Sequence, residues 1–498
     1  MAPSPAPRRP LRTPPLKSLS AAALLGALLV AAGCASTGGL TPAGTALEAD
    51  ALASGRTFEA FAGSAAGFPE LRWWSALGDP QLDALIDEAL AGNPGLDTAN
   101  ARLRQAGARA GLADAQRRPT VGAGAQYSGL RIPSTVAPEP LGGEYSGVEL
   151  IDLSFNHSFD FWGGKRAQWQ AAIGQVRAAE ADLQAARLML SANVARTYVG
   201  LAQAFDALDV AEAERERAER LLELGEQRVA AGLDNRMQLR RAESAVASAD
   251  EQAQAARQQV DAARNALAAL LGQGPDRGLA VRRPALLQAP APAIPDVLPS
   301  ELLGHRPDVV AARWRVEAAR HGIDASRAAF YPTVNLSAMV GLASAGLSDL
   351  FDSDAALVQG GPAISLPIFD GGRLRSQLDA SDADYDLAVA GYNERLVASL
   401  REVADALQGA RSLDARIAAA TIARDAADDA WRIAVDRYRA GIGTQLDVLA
   451  AQQPLLQLDQ LRAALRAQRL IACVDLDTAL GGGLALQSPD TPLAATAD

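Results

Sequence analysis

The chain has 498 residues, 49% of them hydrophobic, with 47 basic against 58 acidic side chains and a net charge of −11. That hydrophobic fraction excludes a wholly disordered protein, and the acidic balance argues against a nucleic-acid binder, which carries a basic face. Two cysteines and three histidines speak against a disulfide scaffold or a Cys/His zinc cluster.

The first 33 residues carry Arg8, Arg9, Arg12 and Lys17 and no acid. The run from Leu19 to Ala32 is apolar and about 14 residues long, too short for a membrane-spanning helix, which needs ~20 residues. A basic stretch followed by a short apolar one reads as a secretory signal peptide over 1–33. Its removal leaves 43 basic against 58 acidic residues, or −15. Ala31-Ala32-Gly33-Cys34 resembles the bacterial lipobox, with alanine at 31 where leucine is commonest. The resemblance implies lipidation at Cys34, a linker over 34–70 tethered to membrane lipid, and, with Ala35 rather than aspartate next, placement in the outer membrane. Each buried acyl CH₂ adds about 0.8 kcal/mol of anchoring.

From residue 71 onward the chain is written twice. Asn93-Pro94 opens an Ala/Arg-rich stretch ending at Pro119-Thr120-Val121, and Arg306-Pro307 opens a similar one ending at Pro332-Thr333-Val334, with Pro-to-Pro intervals of 25 in both. Trp162-Gly163-Gly164-Lys165 matches Asp370-Gly371-Gly372-Arg373, and the stretch from Arg228 through Gly232 matches that from Arg437 through Gly441. The offsets are 213, 208 and 209. The expected division is a first repeat over 71–274, a Pro-rich connector over 275–306, a second repeat over 307–485 and a tail over 486–498.

Each repeat opens with strands. Ile151, Leu153, Phe155, Phe159 and Phe161 alternate with polar residues, Val334 to Leu342 repeats the pattern, Ile364, Leu366 and Ile368 give a third segment, and Val121 to Tyr127 a weaker, glycine-rich one. About ten alternating residues is the length of a membrane β-strand. Tyr127, Phe159, Phe161, Trp162, Phe330, Tyr331 and Phe369 flank the segments as an interfacial girdle would. His157 interrupts the apolar face and is read as interfacial, while segments 131–147 and 343–359 are expected as outward-facing loops. Open sheet edges are not tolerated in lipid, and small barrels need about eight strands. Four strands per chain therefore predict an oligomer: eight strands from a dimer or twelve from a trimer.

Each repeat continues into a very long helix. No proline occurs between Gly164 and Val229, and Leu183, Leu190, Val194, Leu201, Phe205 and Leu208 recur at heptad-type spacings, as do Leu396, Leu400, Val403 and Leu407. Gly232 and Gly441 stand where helix-ending glycines belong, before amphipathic segments 236–271 and 445–480. Pro454, whose first-repeat counterpart is Ala245, is expected to break one helix near its start. His305 and His321 read as surface residues. No phosphate-loop, His-Glu-x-x-His or Gly-x-Ser-x-Gly pattern occurs, so neither enzymatic activity nor a cofactor or metal is expected.

These marks together resemble the outer-membrane efflux protein family (TolC-like), in the lipoprotein branch serving RND-type pumps. The carriers are Trp73-Trp74 with Asp79-Pro80-Gln81-Leu82, Asn93-Pro94, Arg306-Pro307-Asp308-Val309, Phe330-Tyr331-Pro332, Phe369-Asp370-Gly371-Gly372, Arg437-Tyr438-Arg439-Ala440-Gly441 and Ala479-Leu480-Gly481-Gly482-Gly483. The resemblance implies a mainly α fold with a membrane β-barrel: a homotrimer with twelve strands and a long periplasmic helical tunnel. It implies a periplasmic membrane-fusion adaptor docked on the tips around Arg228, Gly232, Leu233, Asp234, Arg437, Tyr438, Gly441, Ile442 and Thr444, and an inner-membrane RND-type pump as the energy source. It places Asp447 at a constricted entrance, with Gln238 as its first-repeat equivalent and Arg240 and Arg241 beside it; an Asp447–arginine pair between neighbouring helices is the expected lock. The competing reading is a lipidated, non-conducting structural or adhesive rod.

Overall fold

The computed structural model describes residues 37–53, 55–59, 67–136, 138, 143–285, 289–290 and 302–483. Cys34 and the tail 486–498 lie outside them. The elements, in order, are α1 (Pro80–Gly92), α2 (Pro94–Ala115), β1 (Thr120–Arg131), β2 (Tyr145–Phe159), α3 (Gly164–Ala230), α4 (Arg236–Leu270), α5 (Pro307–Ala328), β3 (Thr333–Ser344), β4 (Ala356–Ser365), α6 (Arg373–Arg439) and α7 (Gln445–Ala479).

The duplication holds almost residue for residue. The helices α2 and α5 have 22 residues each, α3 and α6 have 67, and α4 and α7 have 35. At ~1.5 Å per residue the longest rise about 100 Å. The α3/α6 and α4/α7 pairs are collinear at an offset of 209 throughout. The Gly-Gly match at 208 is therefore one residue out: Gly163 pairs with Gly372, and both have positive φ, 74° and 90°. In front of each long helix an aspartate supplies the N-terminal cap. Asp160 accepts from the Lys165 and Arg166 N–H groups at 3.0 and 2.8 Å, and Asp370 accepts from Gly372 and Leu374 at 3.0 and 2.8 Å.

Two compact units divide the chain, one of residues 37–44, 108–174 and 317–388, the other holding the rest. The first contains a four-stranded antiparallel sheet in the order β1-β2-β3-β4. Cross-strand partners share a face, so the register sorts the side chains. Val121, Leu153, Phe155, Leu336, Val340 and Val358 lie on one side; Gln126, Asp152, Ser154, Asn156, Asn335 and Gln359 lie on the other. Pro362 lies in β4, an edge strand, where a missing N–H is tolerated.

Several details differ from expectation. The third apolar segment straddles a strand end: β4 covers Ala356–Ser365, so Leu366 and Ile368 fall beyond it. Pro367 between them has no N–H to pair, and the chain there approaches the Asp370 cap. The connections 132–144 and 345–355 are shorter than the expected loops because the strands extend into them. Phe330 belongs to no girdle. It is buried against Ile323, Leu374 and Leu378, because the turn after α5 directs it inward. Its neighbour Tyr331 does face outward and stacks on Trp162 at 4.6 Å, while the Trp162 indole N–H donates to the Pro332 carbonyl at 2.8 Å. His157 packs edge-on against Phe159 at 4.8 Å.

In the second unit, Trp73, Trp74, Leu82 and Ile86 form a core with Val194, Leu201 and Leu267. Asp79 caps α1 through the Gln81 N–H at 2.9 Å and accepts from the Tyr198 hydroxyl at 2.6 Å and the Ala285 N–H at 2.9 Å. Arg306 is buried; it donates to Asp308 at 2.8 Å, Glu402 at 2.7 Å and the Ala479 carbonyl at 3.1 Å. The Asp79 and Arg306 motifs thus tie the Pro-rich connector and the end of α7 to the helices. Histidine 305 is half-buried, stacked on Phe68 at 3.8 Å, and so is no free surface residue; His321, in the first unit, is likewise half-buried, between Glu317 and Asp324.

Pro454 does not break its helix. α7 is continuous from Gln445 to Ala479 with the proline inside it. Both Pro454 and Ala450, whose carbonyl loses its partner, are exposed, so water can satisfy that oxygen.

Candidate functional site

The hairpin turns between α3 and α4 and between α6 and α7 are built alike. Gly232 and Gly441 adopt φ of 74° and 75°, the left-handed region that glycine enters without a Cβ clash. Leu233 N–H reaches back to the Arg228 carbonyl at 2.8 Å, and Ile442 N–H to the Arg437 carbonyl at 3.0 Å, closing both helices as Schellman motifs.

The helix that follows each turn starts with a reciprocal capping box. Asn235 accepts from the Gln238 N–H at 3.2 Å while Gln238 Oε1 accepts from the Asn235 N–H at 2.7 Å. Thr444 Oγ1 accepts from the Asp447 N–H at 3.2 Å, and Asp447 Oδ2 accepts from both the Thr444 N–H and its hydroxyl at 2.8 Å. The structure thus makes Gln238 and Asp447 equivalents: each is the third residue of its helix. The two Thr444 bonds, backbone first, hold the exposed Asp447 carboxyl below the usual carboxylate range.

The expected Asp447–arginine pair is not formed among the described residues. Asp447 Oδ2 is engaged by Thr444, and Arg240 pairs with Glu243 on its own helix at 2.6 Å. Arg241 is exposed, and Arg437 donates to the Ile442 carbonyl at 3.4 Å.

A different cluster joins the two turns. Arg228 Nε donates to Asp234 Oδ2 at 2.8 Å, its Nη1 to the Tyr438 carbonyl at 2.9 Å, and its guanidinium lies 4.4 Å from the Tyr438 ring centroid. The Tyr438 hydroxyl donates to the same Asp234 oxygen at 2.5 Å. Gln445 Nε2 adds a bond to the Gln238 carbonyl at 3.1 Å. The ring packs on Leu221 and Val448. Burial, and then the hydrogen bond to Asp234, push the Tyr438 hydroxyl up to about 12. Burial works to raise Asp234, but the Arg228 and Tyr438 hydrogen bonds outweigh it and hold the carboxyl low. Sequence reasoning placed Arg228, Asp234 and Tyr438 at the tips without pairing them. Arg228 and Asp234 are six positions apart, but Tyr438 lies 204 and 210 positions from them, and no local spacing signals that.

Around this cluster Leu233 and Ile442, equivalent residues, are 64% and 69% exposed; Met237 and Leu446, also equivalent, are 57% and 62% exposed. Each tip therefore presents an apolar pair to its surroundings. No helix among the described residues is long and apolar enough to cross a membrane. The sheet instead offers one apolar and one mainly polar or small-residue face, the division a pore wall needs between lipid and water.

A sheet of this kind with paired long helical hairpins defines an outer-membrane channel. Residues 85–273 and 298–482 match the family model for outer membrane efflux proteins, one match per repeat. The chain belongs to that family: it is the outer-membrane channel of an efflux system. It is 38% identical over 380 residues to the fusaric acid resistance protein FusA of Burkholderia cepacia, covering 75% of this chain and 71% of that one. It is 31% identical over 436 residues to the multidrug resistance outer membrane protein MdtP of Escherichia coli K12, covering 84% and 88%. Among solved structures, the outer membrane protein VceC of Vibrio cholerae superposes with a TM-score of 0.77 at 37% identity, covering 84% of this chain and all of that one. The outer-membrane channel OprN superposes with a TM-score of 0.79 at 29% identity, covering 89% and 98%.

Proposed function

We propose that this protein is a passive, non-enzymatic duct, closed as a homotrimer and joined at its helical tips by a periplasmic membrane-fusion adaptor. The observation that carries the reading is the sheet: it has an apolar face and two unpaired edges, β1 and β4, which lipid does not accept. Three copies supply twelve strands and remove every edge. Cys34, lipidated after removal of residues 1–33, fastens the chain to the outer membrane. An inner-membrane RND-type pump, which the resemblance to the lipoprotein branch implies, supplies the energy.

The apolar pairs Leu233/Met237 and Ile442/Leu446 are the adaptor's contacts in this reading, with Arg228, Gly232, Asp234, Arg437, Tyr438, Gly441 and Thr444 shaping the surface beneath. The Arg228–Asp234–Tyr438 cluster holds the two tips of one protomer together and sets the resting aperture, and Asp447, with Gln238, Arg240 and Arg241, lies at that entrance. The test is ion conductance of the purified, full-length protein in planar bilayers, with mass measurement of the oligomer. A trimer that passes current is expected; a trimer that passes none, with or without the tip cluster, marks a structural rod. Palmitate labelling that survives Cys34→Ser overturns the anchor.

A further inference from the structure

The polar face of the sheet carries one charged side chain, Asp152, the middle residue of the 15 in β2. The other ionised strand residues, Arg131 and Glu149, lie on the opposite face and towards the loop end. On both sides Asp152 is paired with glycine: Gly124 on β1 and Gly341 on β3. A Cβ at Gly124 would lie 2.9 Å from Asp152 Oδ1, and one at Gly341 2.9 Å from Asp152 Cα. The carboxylate thus leans across bare backbone. Neither flanking position has a side chain that could screen it or hydrogen-bond to it, and no cation lies on that face of the strands.

A mid-strand charge is accepted only towards water, because at the membrane midplane the lipid side penalises it. The apolar side chains on the other face meet the lipid, so Asp152 faces the lumen. Cyclic symmetry then repeats it at one level. We propose that Asp152 forms a three-carboxylate ring within the membrane segment of the lumen and sets the channel's preference for cationic over anionic solutes. The inference rests on the trimeric channel proposed above. Rings of like charge select ions in other pores by this means, and the glycine neighbours offer the carboxylate no pairing side chain.

The test is the reversal potential of the full-length protein in planar bilayers under a KCl gradient with the dilute side near ~0.1 M, where charges act over about 10 Å. The wild-type pore should prefer K⁺. Asp152→Asn should lower the cation-to-anion permeability ratio several-fold, Asp152→Glu should keep it, and Asp152→Lys should move the reversal potential towards the anion side. Selectivity should fade as both sides approach ~1 M, where the reach of a charge falls to about 3 Å. Where Asp152→Asn does not assemble, Asp152→Ser is read in its place. Conducting Asn and Lys variants with the wild-type reversal potential overturn the ring and leave the channel reading intact. A wild-type trimer that passes no current overturns both.

Discussion

The two hairpin tips share a backbone and differ in chemistry. Gly232 and Gly441 turn the chain at nearly the same φ, and capping boxes open both following helices. Yet the first tip closes its box with the neutral pair Asn235 and Gln238, the second with Thr444 and the charged Asp447. The first contributes Arg228, Asp234 and the Gln238 carbonyl to the joining cluster, the second Tyr438 with its carbonyl and Gln445. A duplicated scaffold fixes where a turn stands. The residues added to each copy decide which turn holds and which is held.

The largest effect on that comparison is expected from Arg228→Ala. Its ion pair with Asp234 is largely buried, with side-chain exposures of 11% and 6%. Removing one partner of a buried pair costs about 3–5 kcal/mol, because the other charge is left uncompensated. Amide hydrogen exchange around Leu233 and Ile442 should accelerate in both tips, and channel conductance should rise.

Next is Ala245→Pro, which gives α4 the proline that α7 already carries at the equivalent position. A proline inside a helix costs ~3 kcal/mol. In α7 the exposed Pro454 and Ala450 meet water. In α4 the bond lost is that to the Arg241 carbonyl, and Ala245 is half-buried, so the ring must also fit between packed neighbours. Thermal unfolding should show a lower midpoint for Ala245→Pro than for wild type, and little change for Pro454→Ala.

Tyr438→Phe isolates the hydroxyl, and its loss should cost about 1.5–3 kcal/mol, as for a hydrogen bond to a charged group. The pH dependence follows from the same contact. Tyr438 is raised on folding, so its contribution is complete below its ordinary value of ~10 and disappears as pH rises towards about 12. Asp234 is lowered, so its contribution is present above the ordinary carboxylate range and disappears as pH falls through and below it. Tip protection, the slowing of exchange relative to its intrinsic rate at each pH, should therefore be flat between pH ~5 and ~9 and fall at acid pH. Asp234→Asn should abolish the acid arm and lower tip protection at every pH, because it leaves Arg228 without its carboxylate.

The scaffold was readable because it is local. Helix periodicity, helix-ending glycines, capping residues and strand alternation act over a few positions, and duplication wrote each of them twice. Phe330 misled because an aromatic beside a strand end has the same local pattern whether it points to lipid or, as here, between α5 and α6. Leu366 and Ile368 misled because alternation continued past Ser365 although pairing stopped there. The Arg228–Tyr438 contact was hidden for another reason: it joins residues 210 apart whose proximity exists only once both long helices are folded.

The smallest structural effect, and the most decisive for Asp447, is expected from Asp447→Asn. In the structure this carboxylate bonds Thr444 twice and no arginine. Asparagine keeps an acceptor oxygen at that point, so the capping box should survive and the second tip should come to resemble the neutral first one. Helix stability should then change little, which leaves charge at the entrance as the variable. If Asp447 helps to set the aperture from neighbouring protomers, single-channel conductance and its dependence on divalent cations should shift while hydrogen exchange at α7 stays as in wild type. If conductance is unchanged as well, Asp447 is a helix cap and nothing more, and the entrance is held by the Arg228–Asp234–Tyr438 cluster.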